Sequence, residues 1–211
     1  MFNIQKNNAD TNSKHPYIME QKSIKGTRTE KNLLAAFAGE SQARSRYTLF
    51  SQKALEEGYQ QIAAIFLETA EQELQHARGF FSYLEGGIVT ITAGYPAGVV
   101  GDTKKNLAEA AAGEREEWSN LYSDFAKVAQ DEGFPQIANH FRLVASVEQM
   151  HEARYMRLLE RLENEQVFQQ PEPTEWMCRK CGFTINAKSA PKRCPVCGAD
   201  QGWFERKANN Y

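Results

Sequence analysis

Apolar residues recur every three or four positions along four long segments of this chain, which is the spacing of a helix that buries one face. Capping residues and glycine stops bound these segments, and Thr27 with Glu30 forms a capping box at the start of the first. The predicted helices span residues 27–57, 59–85, 102–132 and 135–164. A crossover rich in glycine and proline, residues 88–101, joins the second helix to the third, and a short extended piece is expected at residues 88–92.

The second pair of predicted helices repeats the first pair. Ala38-Gly39-Glu40 returns as Ala112-Gly113-Glu114, and Glu57-Gly58-Tyr59 returns as Glu132-Gly133-Phe134. Any two amphipathic hairpins share some register, but the matching glycine positions favour a true repeat. Two helical hairpins joined by one long crossover predict an all-α four-helix bundle with ferritin-like connectivity.

Each predicted helix carries at least one carboxylate in the middle of its apolar stripe. The stripe of the third helix is Leu107, Ala110, Glu114, Glu117, Leu121, Phe125 and Val128. The candidate set in the core has five glutamates and two histidines: Glu40, Glu73, His76, Glu114, Glu117, Glu148 and His151. His15 and His140 lie outside this pattern, and we interpret both as surface residues.

Five buried carboxylates cannot all stay ionised without cations, because each unpaired one costs several kcal/mol. Two divalent metal ions would neutralise most of this charge, and carboxylate with imidazole suits iron or manganese. The Glu-x-x-His pairs that begin at Glu73 and Glu148 place both side chains on one helix face, which is the pattern of di-iron carboxylate bundles. The alternative is a structural network of hydrogen bonds between the histidines and the glutamates.

All four cysteines fall in the last 34 residues, as Cys178-x-x-Cys181 and Cys194-x-x-Cys197. Four thiolates at this spacing bind a tetrahedral metal ion, which is either zinc in a structural ribbon or iron in a one-electron carrier. A glycine follows each pair and allows backbone amides to approach the sulfurs. The aromatic residues expected to pack around this site are Trp176, Phe183, Trp203 and Phe204.

These patterns divide the chain into a polar N-terminal extension, residues 1–26, the helical bundle, 27–165, a linker, 166–175, and a cysteine domain, 176–211. Of the 211 residues 41% are hydrophobic and 25% are charged, and the net charge of -2 provides no basic field for nucleic acid or an anionic membrane. No apolar run is long enough to span a membrane. The polar start has no signal-peptide core, so a cytoplasmic protein is expected, with Met19 as a possible alternative start.

The combination of the two metal motifs resembles the rubrerythrin family over about residues 23–211. The motifs that carry the resemblance are Lys25-Gly26-Thr27, Ala38-Gly39-Glu40-Ser41-Gln42-Ala43-Arg44, Glu73-x-x-His76, Gly113-Glu114-x-x-Glu117, Glu148-x-x-His151 and the two cysteine pairs. The resemblance implies a ferritin-like di-iron bundle with a C-terminal rubredoxin-like domain. It implies a non-haem peroxidase that reduces hydrogen peroxide to water, and it assigns no role to the N-terminal extension.

The resemblance also implies a role for each candidate ligand. The implied ligands are Glu40 for the first iron, with His76 and Glu117 exchanging between oxidation states; Glu114 and His151 for the second iron; and Glu73 and Glu148 as bridges between them. Tyr47 and Tyr122 resemble tyrosines of the family that hydrogen-bond ligand carboxylates, although ordinary core aromatics would occupy the same positions. One iron on the four cysteines would relay electrons to the di-iron site.

Three partners follow from the resemblance. They are hydrogen peroxide as substrate, an external electron donor (rubredoxin or an NAD(P)H-dependent reductase), and a second copy of the chain whose cysteine domain faces the di-iron site of its partner. The donor must be separate, because the sequence has no glycine-rich nucleotide loop in a strand-then-helix context. Two other functions share part of the pattern: a ferritin-like ferroxidase or iron-handling protein, and a non-catalytic scaffold with a zinc ribbon. The tethered cysteine domain argues against the first, and zinc without peroxide turnover would favour the second.

Overall fold

The computed structural model describes residues 22–209, so most of the predicted N-terminal extension, including His15, lies outside the described residues. The helices are α1, Arg28–Glu56; α2, Gln60–Phe81; α3, Thr103–Glu116; α4, Tyr122–Asp131; and α5, Pro135–Glu163. α1 packs against α2, and α3 and α4 pack against α5, as the two predicted hairpins require. Within this part of the chain, no helix combines the length and hydropathy that a membrane-spanning segment needs.

The start and the end of α1 follow from its sequence. The Thr27 side chain accepts a hydrogen bond from the Glu30 amide at 3.1 Å, and the Glu30 carboxylate accepts one from the Gly26 amide at 2.8 Å. Gly58 ends the turn after α1 with a φ of 83°, which a residue with a Cβ rarely adopts. The apolar face of α1 is buried, and Glu40 lies in its middle; its apolar members are Leu33, Ala36, Ala43, Tyr47, Phe50 and Ala54.

A π-helical turn, Glu117–Leu121, interrupts the third predicted helix between α3 and α4. A π turn takes up one more residue than an α turn, so the buried face moves by one position. Leu121, which was expected in the core, is 36% exposed, and its neighbour Tyr122 is fully buried instead. The same shift leaves Phe125 and Val128, which were also expected in the core, only partly buried, although Phe125 still packs against the buried rings of Tyr122 and Phe141.

The crossover between α2 and α3 has neither helix nor strand, so the extended piece expected at residues 88–92 does not form a strand. α2 ends before the predicted Glu85, whose carboxylate accepts a hydrogen bond from the Ile24 amide at 2.9 Å instead of continuing the helix. Further along, the Tyr95 hydroxyl donates to the Ala35 carbonyl at 2.9 Å. These contacts hold the crossover along α1.

The C-terminal residues form a three-stranded antiparallel sheet of β1, Gln169–Cys178, β2, Thr184–Ser189, and β3, Phe204–Arg206, with β1 in the centre. A single 3₁₀ turn, Gln201–Trp203, precedes β3. β1 begins inside the segment predicted as a linker, because Gln169 pairs with Ser189. The register then shifts before Thr174, and this irregular stretch holds both linker prolines, which cannot donate to a regular ladder.

Two apolar clusters fill the bundle, and along every long helix the candidate ligands lie between them. Buried members of the first cluster include Tyr47, Phe50, Phe66, Leu107 and Tyr155. Buried members of the second include Leu33, Phe80, Tyr122, Ile137 and Phe141. The core is therefore apolar at both ends and polar in the middle, which places the candidate site at the centre of the bundle.

The cysteine-bearing sheet packs against the turn between α1 and α2. A Cβ atom on Gly202 would lie 2.1 Å from the Gly58 carbonyl oxygen, so the two backbones touch there. The rings of Tyr59 and Phe168 stack nearly parallel, with centroids 6.0 Å apart. The chain's own cysteine domain therefore sits at one end of the bundle, beside the start of α2.

Candidate metal centres

Six of the seven candidate ligands in the bundle meet in its middle. Their ligand atoms form two groups, in each of which all atoms lie within 4.8 Å of one another: Glu40, Glu73, His76 and Glu148; and Glu73, Glu114, Glu148 and His151. Glu73 and Glu148 belong to both groups. Two cation positions that share two carboxylates are the arrangement that these residues describe.

The three-residue spacing on α2 and α5 brings each histidine against two carboxylates. His76 Nδ1 lies 2.8 Å from Glu73 Oε2 and 2.9 Å from Glu148 Oε1. His151 Nδ1 lies 2.7 Å from Glu148 Oε2 and 3.2 Å from Glu73 Oε1. Because α2 and α5 face each other here, the histidine of each Glu-x-x-His pair also contacts the glutamate of the other pair.

Several candidate ligand atoms of this cluster lack hydrogen-bond partners, and this tests whether the residues fit metal ions. Buried atoms without a partner include Glu40 Oε2, Glu73 Oε1, Glu114 Oε2, both Glu148 oxygens and His151 Nδ1. Such orphaned atoms are rare in folded proteins because each costs free energy. Here they are close together yet not aligned for hydrogen bonds with one another, as expected for lone pairs directed at shared cations. The residues therefore fit two divalent ions with oxygen and imidazole ligands.

The carboxyl groups are hard to ionise in one another's presence. Burial, reinforced by neighbouring carboxylates, raises the pKa of Glu40 and the pKa of Glu117 well above the ordinary value of 4.5. Burial raises the pKa of Glu114 to about 8, despite the opposing effect of His151. Positive charge between these groups would reverse the effect, which is a second reason for expecting metal ions there.

The two histidines and Glu73, in contrast, favour their charged forms. Burial opposes a charge on His76, but the carboxylates of Glu148 and Glu73 outweigh it and raise its pKa to about 9. The pKa of His151 rises to about 12 because Glu114, Glu148 and Glu73 likewise outweigh its burial. Glu73 is also buried, yet the two histidines lower its pKa to about 2. In the metal-free protein, protonated His76 and His151 thus supply the positive charge that metal ions would otherwise supply to the carboxylates.

Tyr47 and Tyr122 both reach the cluster from the two apolar regions. Tyr47 Oη donates a hydrogen bond to Glu114 Oε1 at 2.6 Å, and Tyr122 Oη donates one to Glu40 Oε1. Both side chains are fully buried. Each phenol therefore holds one oxygen of a carboxylate and leaves the other oxygen free to bind a cation.

Glu117, the seventh candidate ligand, stands outside both groups of ligand atoms. It is the first residue of the π turn, and its side chain is partly buried. The charges that act on it include the repelling carboxylates of Glu114, Glu148 and Glu73 and the attracting guanidinium of Arg46. Glu117 therefore borders the cluster, while His76 is inside it.

Gln72 orients His151 and was not predicted from the sequence. Its side-chain carbonyl lies 3.0 Å from His151 Nε2, so that nitrogen carries the hydrogen and Nδ1 faces the carboxylates. Arg154 donates to the same carbonyl at 3.2 Å and to the Thr69 hydroxyl at 2.6 Å. In the sequence Gln72 is an ordinary polar residue next to Glu73, and only the arrangement of α2 against α5 reveals its role.

His140 is partly buried, so the prediction that it is an ordinary surface residue is wrong. Its ring packs edge-on against Phe80 with centroids 5.2 Å apart, and its Nε2 is buried without a partner. A Cβ on Gly79 would lie 2.6 Å from this nitrogen, so the absence of a side chain there makes room for the ring. Burial lowers the pKa of His140, which keeps the ring neutral and compatible with the apolar core.

The four cysteine sulfurs form a second candidate centre, all within 4.8 Å of one another. Cys178 and Cys194 are buried, whereas Cys181 and Cys197 are exposed. The two halves match: the Gly182 amide donates to the Cys178 carbonyl and the Gly198 amide to the Cys194 carbonyl, at 2.8 and 2.9 Å. Both glycines have a positive φ, of 77° and 72°. The four predicted aromatic residues pack in the cluster around these sulfurs.

Backbone amides support thiolate character at this site. Burial opposes ionisation of the Cys194 thiol, but the amides of Cys197 and Val196 contribute to lowering its pKa to about 7. A tetrahedral set of four sulfurs fits one metal ion of the iron or zinc type.

The comparisons with known proteins agree with this geometry. The family model described as Rubrerythrin matches residues 31–159 and 105–176, and the rubredoxin-like domain of rubrerythrin matches residues 176–205. The rubrerythrin of Porphyromonas gingivalis is 57% identical over 190 residues, covering 90% of this chain and 95% of that protein. Rubrerythrin-1 of Clostridium acetobutylicum is 53% identical over 195 residues, covering 90% and 100%. A partially reduced nigerythrin structure is 29% identical with a TM-score of 0.58, covering 90% of this chain and 91% of that one.

The fold and the two centres define a class of protein: a ferritin-like helical bundle with a di-iron carboxylate site, joined to a rubredoxin-like domain with a four-cysteine site. Both parts were expected from the sequence and are confirmed. Within that class, the chain belongs to the rubrerythrin family.

Proposed function

We propose that this protein is a peroxidase that reduces hydrogen peroxide to two molecules of water, consuming two electrons and two protons. The observation that supports it most strongly is a buried carboxylate and histidine cluster for two irons on the same chain as a four-cysteine site. A di-iron pair can supply both electrons that break the O–O bond without releasing a radical. A cytoplasmic enzyme that protects against oxidative stress is the corresponding role in the cell.

The residues of the bundle have distinct tasks in this proposal. Glu40 and Glu114 would each hold one iron, and Glu73 and Glu148 would contribute to both positions, which their membership of both groups of ligand atoms supports. Tyr47 and Tyr122 fix the carboxylates of Glu114 and Glu40, so that each carboxylate keeps one orientation. The apolar clusters on either side exclude water from the reacting atoms.

Glu117 and His76 form the adjustable part of the proposed site. His76 is inside the ligand cluster and Glu117 is at its edge, where its raised pKa favours the protonated carboxyl. Exchange of the neutral imidazole for the negative carboxylate would raise the ligand charge when the irons are oxidised. Glu117 Oε atoms can also carry one of the protons that the reaction consumes.

The four-cysteine site would feed electrons to the bundle, and we propose that it feeds the bundle of a second subunit in a homodimer. Glu73 lies about 20 Å along α2 from Gln60, at 1.5 Å per residue. The chain's own cysteine domain contacts Gly58, beyond the start of that helix. A head-to-tail pair of chains would shorten this path. The electrons would come from rubredoxin or an NAD(P)H-dependent reductase.

One anaerobic titration tests the peroxidase proposal. The iron-loaded protein is reduced, hydrogen peroxide is added, and the visible absorption of the ferric four-cysteine centre is followed. We expect rapid return of that absorption at about one peroxide per two electrons. Return only with oxygen would favour the ferroxidase, and zinc on the cysteines without peroxide turnover would favour the scaffold. Glu148→Ala should abolish turnover but preserve the spectrum of the cysteine centre, and full turnover in this variant would refute the site.

Mixed dimers test the path between subunits. A Glu148→Ala chain keeps only the cysteine centre, and a Cys194→Ala chain keeps only the di-iron site. Neither variant alone should turn over, but dimers reassembled from both should regain activity, because one chain then feeds the other. Inactive mixed dimers, verified by mass, would show that electrons travel within one chain.

A further inference from the structure

Glu152 is a buried carboxylate that belongs to neither group of ligand atoms. It follows His151 on α5, and only 6% of its surface is exposed. Arg115 Nε and Trp118 Nε1 each donate a hydrogen bond to it at 2.6 Å, one to each carboxylate oxygen. Both oxygens of a buried charge are thus satisfied, one by a guanidinium and one by an indole.

The two donors come from opposite sides of the boundary between α3 and the π turn. Arg115 follows the ligand Glu114 near the end of α3, and Trp118 follows Glu117 inside the π turn. Glu152 therefore joins α5 to the segment that carries two of the carboxylates of the site.

The π turn needs support from outside, because it has poorer hydrogen-bond geometry than an α-helix and occurs mainly as single turns. Its extra residue brings Tyr122 into the core, where the phenol donates to Glu40. The same turn places Glu117 at the edge of the ligand cluster. A regular helix would leave Leu121 in the position that Tyr122 now occupies.

We propose that Glu152 is a positioning residue that holds the π turn in register through Trp118 and Arg115, and so sets the places of Glu117 and Tyr122 beside the irons. This inference rests on the proposed di-iron site but not on the identity of its oxidant. Glu152 does not touch the ligand atoms; it acts through the turn that carries them.

Amide hydrogen exchange in the full chain tests whether Glu152 holds the π turn in place. Trp118→Phe keeps an aromatic ring but removes the indole donor together with part of the ring volume, whereas Glu152→Gln keeps the shape and removes the charge. Each variant should speed exchange of the amides of residues 117–122 by about tenfold or more, because a hydrogen bond to a charged group is lost. The double variant should exchange about as fast as Glu152→Gln alone, since both substitutions act on the Trp118–Glu152 bond and only Glu152→Gln also weakens the bond to Arg115. Glu163→Gln is the matched control, because it breaks an exposed α3–α5 ion pair with Lys104 at 3.0 Å.

A spectroscopic readout separates positioning from general stability. In the reduced, iron-loaded protein, Mössbauer spectra distinguish the di-iron site from thiolate iron, so the di-iron signal reports its own ligands. We expect Trp118→Phe to alter the di-iron signal and leave the thiolate signal unchanged, with helix content as in the parent protein. Unchanged exchange in residues 117–122 together with an unchanged di-iron signal would overturn the inference, as would exchange that rises equally in α1 and α2. Neither readout involves peroxide, so a failed peroxidase proposal would leave this test intact.

Discussion

Metal binding at the bundle should compete with protons, and this follows from the charges of the cluster. The perturbation is removal of iron followed by anaerobic titration with ferrous ions at several pH values. At pH 7 the groups that favour their protonated forms in the metal-free cluster are Glu40, Glu114, Glu117, His76 and His151. Each must lose its proton before its ligand atom can bind a cation.

The size of the effect follows from the number of these groups. Each proton displaced changes the affinity about tenfold per pH unit, or about 1.4 kcal/mol. If all five groups bind, the affinity for the pair of ions rises by about five orders of magnitude per pH unit near pH 7. If Glu117 stays at the edge of the cluster in the ferrous state, the slope falls to about four.

Calorimetry in buffers with different ionisation enthalpies counts the released protons directly. The Glu148→Ala variant supplies the control, because its remaining proton release comes mainly from the cysteine site. The prediction is four to five protons for the bundle, taken as the difference between the two proteins. Fewer than two would refute the reasoning, since it would mean that the buried carboxyls are already ionised and the histidines already neutral without metal.

Whereas the affinity for ferrous ions should rise with pH, the free energy of unfolding of the metal-free protein should fall as the pH rises. Glu40, Glu114 and Glu117 bind protons more tightly when folded, so the native state holds more protons than the unfolded chain. Their stabilising contribution is complete below their ordinary pKa of 4.5 and is lost as the pH rises. The histidines add a loss above pH 6.5 that continues to about 9 for His76. Denaturant unfolding of the helices, followed by circular dichroism, should therefore show falling stability from pH 5 to 9, and rising stability would contradict the assignment.

Two further substitutions probe the contacts that the sequence did not reveal. Gly202→Ala would place a Cβ against the Gly58 carbonyl, so we expect the cysteine domain to separate from the bundle. This separation should be visible as faster proteolysis near residues 166–169. Gly98→Ala is the control, because a Cβ there meets no atom within 4 Å, and it should not change the rate of proteolysis. Gln72→Leu removes the partner of His151 Nε2 and should weaken ferrous binding about 10- to 100-fold by calorimetry, whereas unchanged affinity would show that the ring orientation is set elsewhere.

The candidate ligands could be predicted from the sequence because a glutamate in the middle of an apolar helix face is unexpected in a core that contains only apolar side chains. Glu40, Glu73 and Glu148 stand out in this way, and the three-residue spacing to each histidine identifies the metal chemistry. Helix ends were also predictable where capping residues and positive-φ glycines determine them, as at Thr27 and Gly58.

The register beyond Glu117 was not predictable, because a π turn has no pattern of apolar residues of its own. Periodicity simply continued through it to Leu121, and the true core residue was the next one, Tyr122. The prediction for His140 was wrong for a related reason. Its partial burial depends on Gly79 of α2, which makes room for the ring, and the pattern of one helix cannot reveal a glycine on the facing helix.

The arrangement of the core explains how the bundle tolerates so polar a centre. Six largely buried ionisable groups in one place would destabilise a small domain, since several of their buried atoms lack hydrogen-bond partners. The apolar clusters around Tyr47 and Phe66 on one side, and around Phe80 and Phe141 on the other, are each closed by their own aromatic contacts. The helices are therefore held together from both ends and do not depend on the irons for their packing. The cysteine domain has only a small cluster around its sulfurs, so its metal contributes to folding itself, and loss of iron should affect the two domains very differently.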